Sequence, residues 1–397
     1  MKTVHINLVS EQLIPNLIPT LGDENCIGVV LVLGDSKFAD KAERVENLYR
    51  RNKIPILWHS QGGSSTRLSQ LHKQANSVID FLATHHGACH WVLNATCGTK
   101  PMALAFANAF NQQDKQQALV IYTDTEHKEI PLLNPGVDFT LPFKSVLSLD
   151  DYLLANSFEY DQAIRHGNDQ EVLQRAPLTR YLAEQLGDKC HKMLGAIQAM
   201  ATNAAKDYPQ SQVQTMPSVP HSDYAHLYQR LSEEGLLHWD GHSQHINFQS
   251  ENVCQYLAGR WLEEFTYLTA LDCGAEEVAM SVSGRWLQGS RHFNNEDITN
   301  EFDVLVLHNN QLLTIECKAS NWFRQEEHGS KNQDIIHKLD TLSKNLGGLF
   351  GSPMLVTAQQ LSDTARSRAK HNRFLCCEQA TEKKLQHALK RWLIHVG

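Results

Sequence analysis

The sequence holds no apolar run near the roughly 20 residues that a helix needs to cross a bilayer, so no membrane partner is expected. Cysteine is present, but its nine copies are scattered without paired spacing, and the odd count argues against a disulfide framework. Nor does the start have the layout of a secretory leader, so none is expected. The opening Met1-Lys2-Thr3-Val4-His5-Ile6-Asn7 reads as a first β-strand, and a cytoplasmic protein is expected. Nor is there an excess of positive charge. The formal net charge of −8 excludes a chain that binds phosphate backbones along its whole surface, so any nucleic-acid contact has to come from local basic patches. Neither the G-x-x-x-x-G-K-[ST] loop nor the G-x-G-x-x-G loop occurs.

What is present is a globular composition, 42% hydrophobic and 20% charged, over 397 residues. That length is best divided into two domains and a connector: residues 1–150, 151–250 and 251–397. In the first part, apolar runs at 4–9, 27–34, 54–59, 90–96 and 118–124 alternate with amphipathic helical patterns. Fully apolar strands separated by such helices predict an α/β, Rossmann-like domain whose parallel sheet is buried on both faces. Ligands in such folds sit beyond the carboxyl ends of the strands. There the sequence reads Asn94-Ala95-Thr96-Cys97-Gly98-Thr99-Lys100-Pro101, which leaves a strand, turns on glycine and enters a helix with proline in its first turn. Free backbone amides, hydroxyls and an ammonium are thereby offered to an anion. The alternative is a capped turn with an exposed lysine. The nearby His85-His86-Gly87-Ala88-Cys89-His90 lacks a second ligand pair at zinc spacing and reads as the end of a helix.

The middle part turns polar around Pro209, Pro217 and Pro220. A helix is expected from 180 to 205, another through Tyr224, Leu227, Tyr228 and Leu231, then a short hairpin at 236–239 and 245–248. Helix followed by hairpin is winged-helix-like. Few lysines and arginines make it a poor DNA reader, and it is read as a connector.

In the last part, Gly259-Arg260-Trp261-Leu262-Glu263-Glu264 opens a helix and a strand follows near 277–283. Next come Asn300-Glu301-Phe302-Asp303-Val304-Leu305, a polar turn at 308–311, and Leu312-Leu313-Thr314-Ile315-Glu316-Cys317-Lys318. A helix through Ile335, Leu339, Leu342 and Leu346 and a strand at 354–357 complete the series. Residues two apart in a strand share a face, so Glu316 and Lys318 are expected together, as are Glu301 and Asp303, opposite Phe302 and Val304. If the two strands pair, Asp303, Glu316 and Lys318 converge. Their carboxylates form a hard oxygen site suited to Mg²⁺ or Mn²⁺, which acidifies a bound water and offsets charge on a phosphate. Glu-x-Lys alone is weak; the upstream aspartate, the turn and the Trp-Leu-Glu helix give it meaning.

Two resemblances bear on these motifs. The Asn-x-Thr-x-Gly-Thr-Lys loop after the fourth strand resembles the CARF domain of CRISPR-associated effectors. The ordered G-x-W-L-E, N-E-x-D-V and E-x-K segments resemble PD-(D/E)xK, restriction-endonuclease-like nucleases, and the whole is similar to the CARF–nuclease fusions of type III CRISPR defence. The resemblance implies a homodimer whose CARF cleft binds a cyclic oligoadenylate, cyclic tetra-adenylate above all, as an allosteric activator of a metal-dependent endonuclease acting on RNA and/or DNA. Carried over by position, it implies ligand contacts from Asn94, Thr96, Gly98, Thr99 and Lys100 in the loop after the fourth strand, from Ser10 and Glu11 after the first strand, and from Asp35 after the second. It further implies that Glu263, Asp303 and Glu316 ligate the metal and act with Lys318 in catalysis. Glu264 is expected to be exposed, Gly347-Gly348 also fits the family, and Lys338 is a candidate phosphate contact. Cys97 stands where the resemblance leads one to expect a second glycine. Two other readings remain at this point: a ligand-responsive winged-helix DNA-binding regulator, and an enzyme degrading the cyclic ligand within its own cleft.

Overall fold

The computed structural model describes residues 1–185, 191–287, 299–319 and 339–397. Ile335 and Lys338 lie outside the described residues.

The N-terminal unit is the parallel sheet that the apolar runs predict. Its strands are β1 (Thr3–Leu8), β2 (Cys26–Leu33), β3 (Ile56–Gln61), β4 (His90–Asn94) and β5 (Ala118–Ile121), in the order β3-β2-β1-β4-β5. All pairings are parallel. Helices α1 (Ile14–Leu21), α2 (Ala39–Arg51), α3 (Leu68–His86) and α4 (Lys100–Asn111) connect them. His85 and His86 form the last turn of α3 and lean on Phe81. The chain order reverses across β1 and β4, so the loops leaving those neighbours open a crevice at the switch point of the sheet. A small hairpin, β6 (Ile130–Pro131) and β7 (Thr140–Leu141), leads to α5 (Leu149–Ala155).

The segment expected to be a mere connector begins by departing from that role. Its first strand, β8 (Phe158–Arg165), pairs antiparallel with β12 (Glu277–Trp286) as the edge of the C-terminal sheet. Two helices follow, α6 (Gln170–Glu184) and α7 (His191–Lys206), where periodicity predicts one from 180 to 205. Then β9 (Val213–Thr215), α8 (Asp223–Glu233), β10 (Leu237–His238) and β11 (His245–Phe248) form a helix with a three-stranded sheet, a winged-helix-like unit. Leu227, Leu231, Ile246 and Phe248 of this unit share one buried cluster with Trp261 and Phe265, so it is built into the C-terminal body.

That body contains α9 (Glu251–Gln255), a π-helical turn Tyr256–Arg260, and α10 (Trp261–Asp272), laid on a six-stranded sheet. After β12 come β13 (Asn300–His308), β14 (Gln311–Lys318) and β15 (Gly351–Thr357). Helix α11 (Asp363–His371), β16 (Leu375–Glu378) and helix α12 (Glu382–Val396) close the chain, and the sheet order is β16-β15-β14-β13-β12-β8.

The two sheets share apolar packing. Leu13, Leu17, Val29 and Leu31 from the N-terminal unit belong to one cluster with Leu149 and Tyr152 of α5 and with Phe302, Leu305, Leu307, Leu312 and Phe350. Polar clamps fix the seam. Asn310, fully buried, accepts from the amides of Val146 and Leu147 and donates to the Lys144 carbonyl, and Tyr152 donates to the Gly347 carbonyl at 2.8 Å. Among the described residues, no helix is long and apolar enough to cross a membrane.

Candidate functional site

The C-terminal candidates begin with a tight hairpin. Asn309 and Asn310 both take positive φ, 46° and 58°, the backbone that a two-residue turn between twisted strands requires. It sets the register Val304↔Ile315, which carries Asp303 to the level of Glu316. Ile315 and Cys317 pack under α10, which leaves Glu316 and Lys318 on the other side, as the two-residue period predicts. Lys318 Nζ stands 2.5 Å from Glu316 Oε1 and 3.8 Å from Asp303 Oδ2, and the Cys317 amide donates to Asp303 Oδ2 at 2.7 Å.

One local expectation fails. Phe302 and Val304 do not share a face: Val304 joins the cluster under α10, whereas Phe302 packs edge-on against Phe158 in the cluster facing the N-terminal unit. Ser281 on the adjoining strand has φ 48°, and beside it Met280 and Val282 divide between the same two clusters. The alternation therefore breaks in both strands at the level of Asp303. Ser281 Oγ also lies 3.5 Å from Glu263 Oε2, so this irregular stretch meets the first turn of α10.

Glu263, Asp303, Glu316 and Lys318 thus stand at one end of the sheet, and their electrostatics reflect crowding. Burial, then repulsion from Asp303, pushes the Glu263 carboxyl up to about 9. Burial, then repulsion from Glu316, pushes Asp303 from 3.8 up to about 7. Burial opposes charge on Lys318, but Asp303 and Glu316 outweigh it and hold the ammonium well above its ordinary range. Among the described residues no three His, Cys, Asp or Glu side chains close around a single point, and Lys318 lies against both Asp303 and Glu316.

Glu264, expected at the surface, is 2% exposed. Arg175 of α6 forks onto its carboxylate and Thr179 Oγ1 lies 3.4 Å away, so the second glutamate of the pair fastens α6 to α10. Beside Glu263 and Lys318 lies a cavity of about 620 Å³, also lined by Arg260, Glu301, Gln198 and Thr202. Arg260 precedes Trp261 within the quoted motif, so a sequence signal existed for it. Gln198 and Thr202 come from α7 and carried none.

In the N-terminal crevice, the two loops beyond β1 and β4 touch. The Gln12 carbonyl receives Cys97 Sγ at 3.3 Å and Ser10 Oγ at 3.4 Å. Burial pushes the Cys97 thiol up to about 12, so it stays a neutral donor. Asn94 is fully buried, and its amide is committed to the loop. It donates to the Pro15 carbonyl at 2.7 Å and accepts from Thr96 N and Oγ1 at 3.0 and 2.6 Å. Thr96 Oγ1 accepts in turn from the Thr123 amide. Gly98 sits at φ +79°, and a Cβ there would meet Leu8 Cβ at 2.9 Å. Thr99 caps α4 through the Met102 amide and donates to the Ser65 carbonyl, while Ser65 donates to Asp35 at 2.5 Å. Lys100, at the first turn of α4, is exposed. Of the ligand candidates, Asn94 and Thr96 therefore shape the loop, and Lys100 projects from it.

Residues 4–152 match the family model of the Card1 CARF domain, and residues 250–396 match that of the Card1-like endonuclease domain. Among solved structures, protein VC1899 from Vibrio cholerae is similar over 100% of this chain and 99% of its own, with 18% identity and a TM-score of 0.80. Can2 from Sulfobacillus thermosulfidooxidans, in complex with cyclic tetra-adenylate, is similar over 98% and 99%, with 20% identity and a TM-score of 0.70. A type III CRISPR defence DNA nuclease activated by cyclic oligoadenylate matches 90% of this chain and 46% of its own, at 14% identity and a TM-score of 0.54. At these identities the likeness is one of fold. No curated protein matches.

Proposed function

We infer the activity from what the chain is, a CARF-domain endonuclease that joins the two Card1 modules in one polypeptide. In this reading, cyclic oligoadenylate, with cyclic tetra-adenylate the first choice, binds beyond β1 and β4 and switches on phosphodiester hydrolysis in RNA and/or DNA. The working form is a homodimer, as the CARF–nuclease resemblance implies. The observation that carries the reading is the meeting of Asp303, Glu316 and Lys318 on one hairpin beside Glu263.

The donor set suits a hard divalent cation, Mn²⁺ or Mg²⁺. Three carboxylates share one ammonium, and the proton affinities of Glu263 and Asp303 register an excess of buried negative charge. Glu263, Asp303 and Glu316 would hold the ion, which when bound supplies an acidified water and offsets charge on the phosphate. The chain's own residues do the rest. Lys318 presents its ammonium to the reacting phosphate or orients the attacking water. The Cys317 amide fixes Asp303, and Arg260 meets a substrate phosphate at the cavity wall. Asn94, Thr96, Gly98 and the Thr99 hydroxyl hold the shape of the activator loop, while Ser10 and Lys100 face the ligand.

The test incubates the protein with labelled single-stranded RNA, single-stranded DNA and plasmid, with Mn²⁺ or Mg²⁺, with and without cyclic tetra-adenylate. Cleavage is expected with metal and activator together and to vanish in Glu316→Ala. Equal cleavage by that variant, or none by the parent, removes the reading.

A further inference from the structure

Away from the candidate centre, a second groove of about 650 Å³ runs between the edge strand β16 and helix α12. Lys384, His387, Arg391 and His395 line it, and their spacing of three, four and four residues puts them on one stripe of α12. The composition is local. Residues 363–397 hold eight Lys or Arg against three Asp or Glu, in a chain whose formal charge is −8. Glu378, the acid in the lining, is already neutralised by Arg366 at 2.7 and 2.8 Å.

An independent observation lies in the same wall. Trp392 is 4% exposed, and among the described residues its indole N–H has no acceptor. A buried donor left unsatisfied is costly, so Trp392 beneath the groove wall gains from an oxygen brought within its reach. The groove also opens at the same end of the sheet as the candidate centre. Strands β14, β15 and β16 are parallel, with Lys318, Thr357 and Glu378 in register. Two strand spacings, about 10 Å, therefore separate the level of Lys318 from the head of the groove. Lys384 stands at that head, its Nζ 3.3 Å from the Glu378 carbonyl.

We propose that the β16–α12 groove is a track for the substrate strand. Its sugar-phosphate backbone lies along Lys384, His387 and Arg391, and the Trp392 indole donates to a phosphate or base oxygen. The inference rests on the nuclease reading and adds to it a binding surface outside the catalytic constellation. Lys384 and Arg391 on one stripe suit a polyanion better than a second copy of a net acidic chain.

The full-length protein is titrated with a labelled 20-nucleotide single-stranded DNA, and separately RNA, in EDTA over a range of salt. The double variant K384A/R391A is expected to bind about tenfold more weakly and to lose about 1.4 from the log–log salt slope, near 0.7 per phosphate contact. In the cleavage assay its KM rises while kcat holds. Trp392→Phe keeps the ring and removes the donor, and weaker binding with an unchanged melting temperature is expected. Unchanged affinity and slope in K384A/R391A, with the parent still binding and cutting, overturns the track alone. So does a loss of self-association in that variant with oligonucleotide binding intact, which would assign the groove to a second copy. A parent that neither binds nor cuts nucleic acid removes the nuclease reading itself.

Discussion

Replacing Asp303 by asparagine is expected to make the protein more stable at pH 8 while abolishing cleavage. Asp303 is held at about 7 against an ordinary 3.8, because burial and then Glu316 disfavour its charge. The folded state therefore keeps a proton that the unfolded chain gives up near pH 4. The associated stability is complete below pH 4 and is lost as pH rises through 7. At roughly 1.4 kcal/mol per pH unit the loss approaches about 4 kcal/mol. Asparagine loses none of it, can still accept from the Cys317 amide, and relieves Glu263 of its second cause of elevation. Charge lost beside Lys318 works the other way, so a net gain of about 2 kcal/mol at pH 8 is expected, a few degrees in melting temperature. At pH 4 the two proteins should melt together. Mn²⁺ should raise the melting temperature of the parent at pH 8 and leave that of the variant nearly unmoved. The assay is thermal unfolding at both pH values, with and without Mn²⁺. A variant less stable than its parent at pH 8, or one equally stabilised by Mn²⁺, refutes the reasoning.

Lys318→Ala should lower the cleavage rate by on the order of 10²–10³ with activator binding intact, measured by single-turnover cleavage and calorimetry. Lys100→Ala should raise the activator concentration needed for half-maximal cleavage and leave the maximal rate nearly unchanged; a lost maximal rate at saturating ligand would contradict the division of labour. Gly98→Ala places a Cβ 2.9 Å from Leu8 at φ +79°, and should cost about 1–3 kcal/mol in urea unfolding. Arg175→Ala leaves Glu264 buried without its cation and should cost about 2 kcal/mol, reduced from a fully buried pair because Arg175 is partly wet.

Much of the fold was legible because each signal was local. Fully apolar runs between amphipathic helices predict a buried parallel sheet, and Glu-x-Lys after Asp on adjacent strands is a matter of a two-residue period. What was illegible depends on contacts distant in sequence. Nothing in Phe158–Arg165 announces that it will edge a sheet formed more than a hundred residues later. Glu264 looks like an exposed neighbour of Glu263 until Arg175, 89 residues earlier, is found against it. The face change at Asp303 escaped because a period of two assumes a regular strand, and Ser281 at positive φ breaks that regularity. The resemblance implies a ligand contact for Asn94, but position alone leaves open whether a polar side chain at the end of a strand turns outward or inward. Only the Pro15 carbonyl and Thr96, both requiring its amide, decide for inward.

The shared core bears on how a signal could cross the molecule. Flexible tethering is ruled out for the described seam, since Leu13, Leu17, Tyr152, Leu305, Leu312 and Phe350 pack as one cluster. Such packing yields by switching between discrete arrangements rather than by gradual deformation. Taking an effector from 1% to 99% active requires about 5.5 kcal/mol of differential ligand affinity, so under the proposed function the loop that meets the ligand has to grip that seam. Gln12 does. Its carbonyl receives Cys97 from the activator loop, and its side chain abuts Gly348, where a Cβ would come within 2.9 Å of Gln12 Oε1. Gly347 and Gly348 lead into β15, and β15 pairs in register with the strand that carries Glu316 and Lys318. A bulkier residue at 348 would therefore press on the sensing loop and on the catalytic sheet at once. Gly348→Ala is expected to leave both domains folded while shifting the activator concentration for half-maximal cleavage, read by comparing ligand affinity with the cleavage midpoint. A midpoint and an affinity that both stay at the parent values would show that the signal does not pass through this contact.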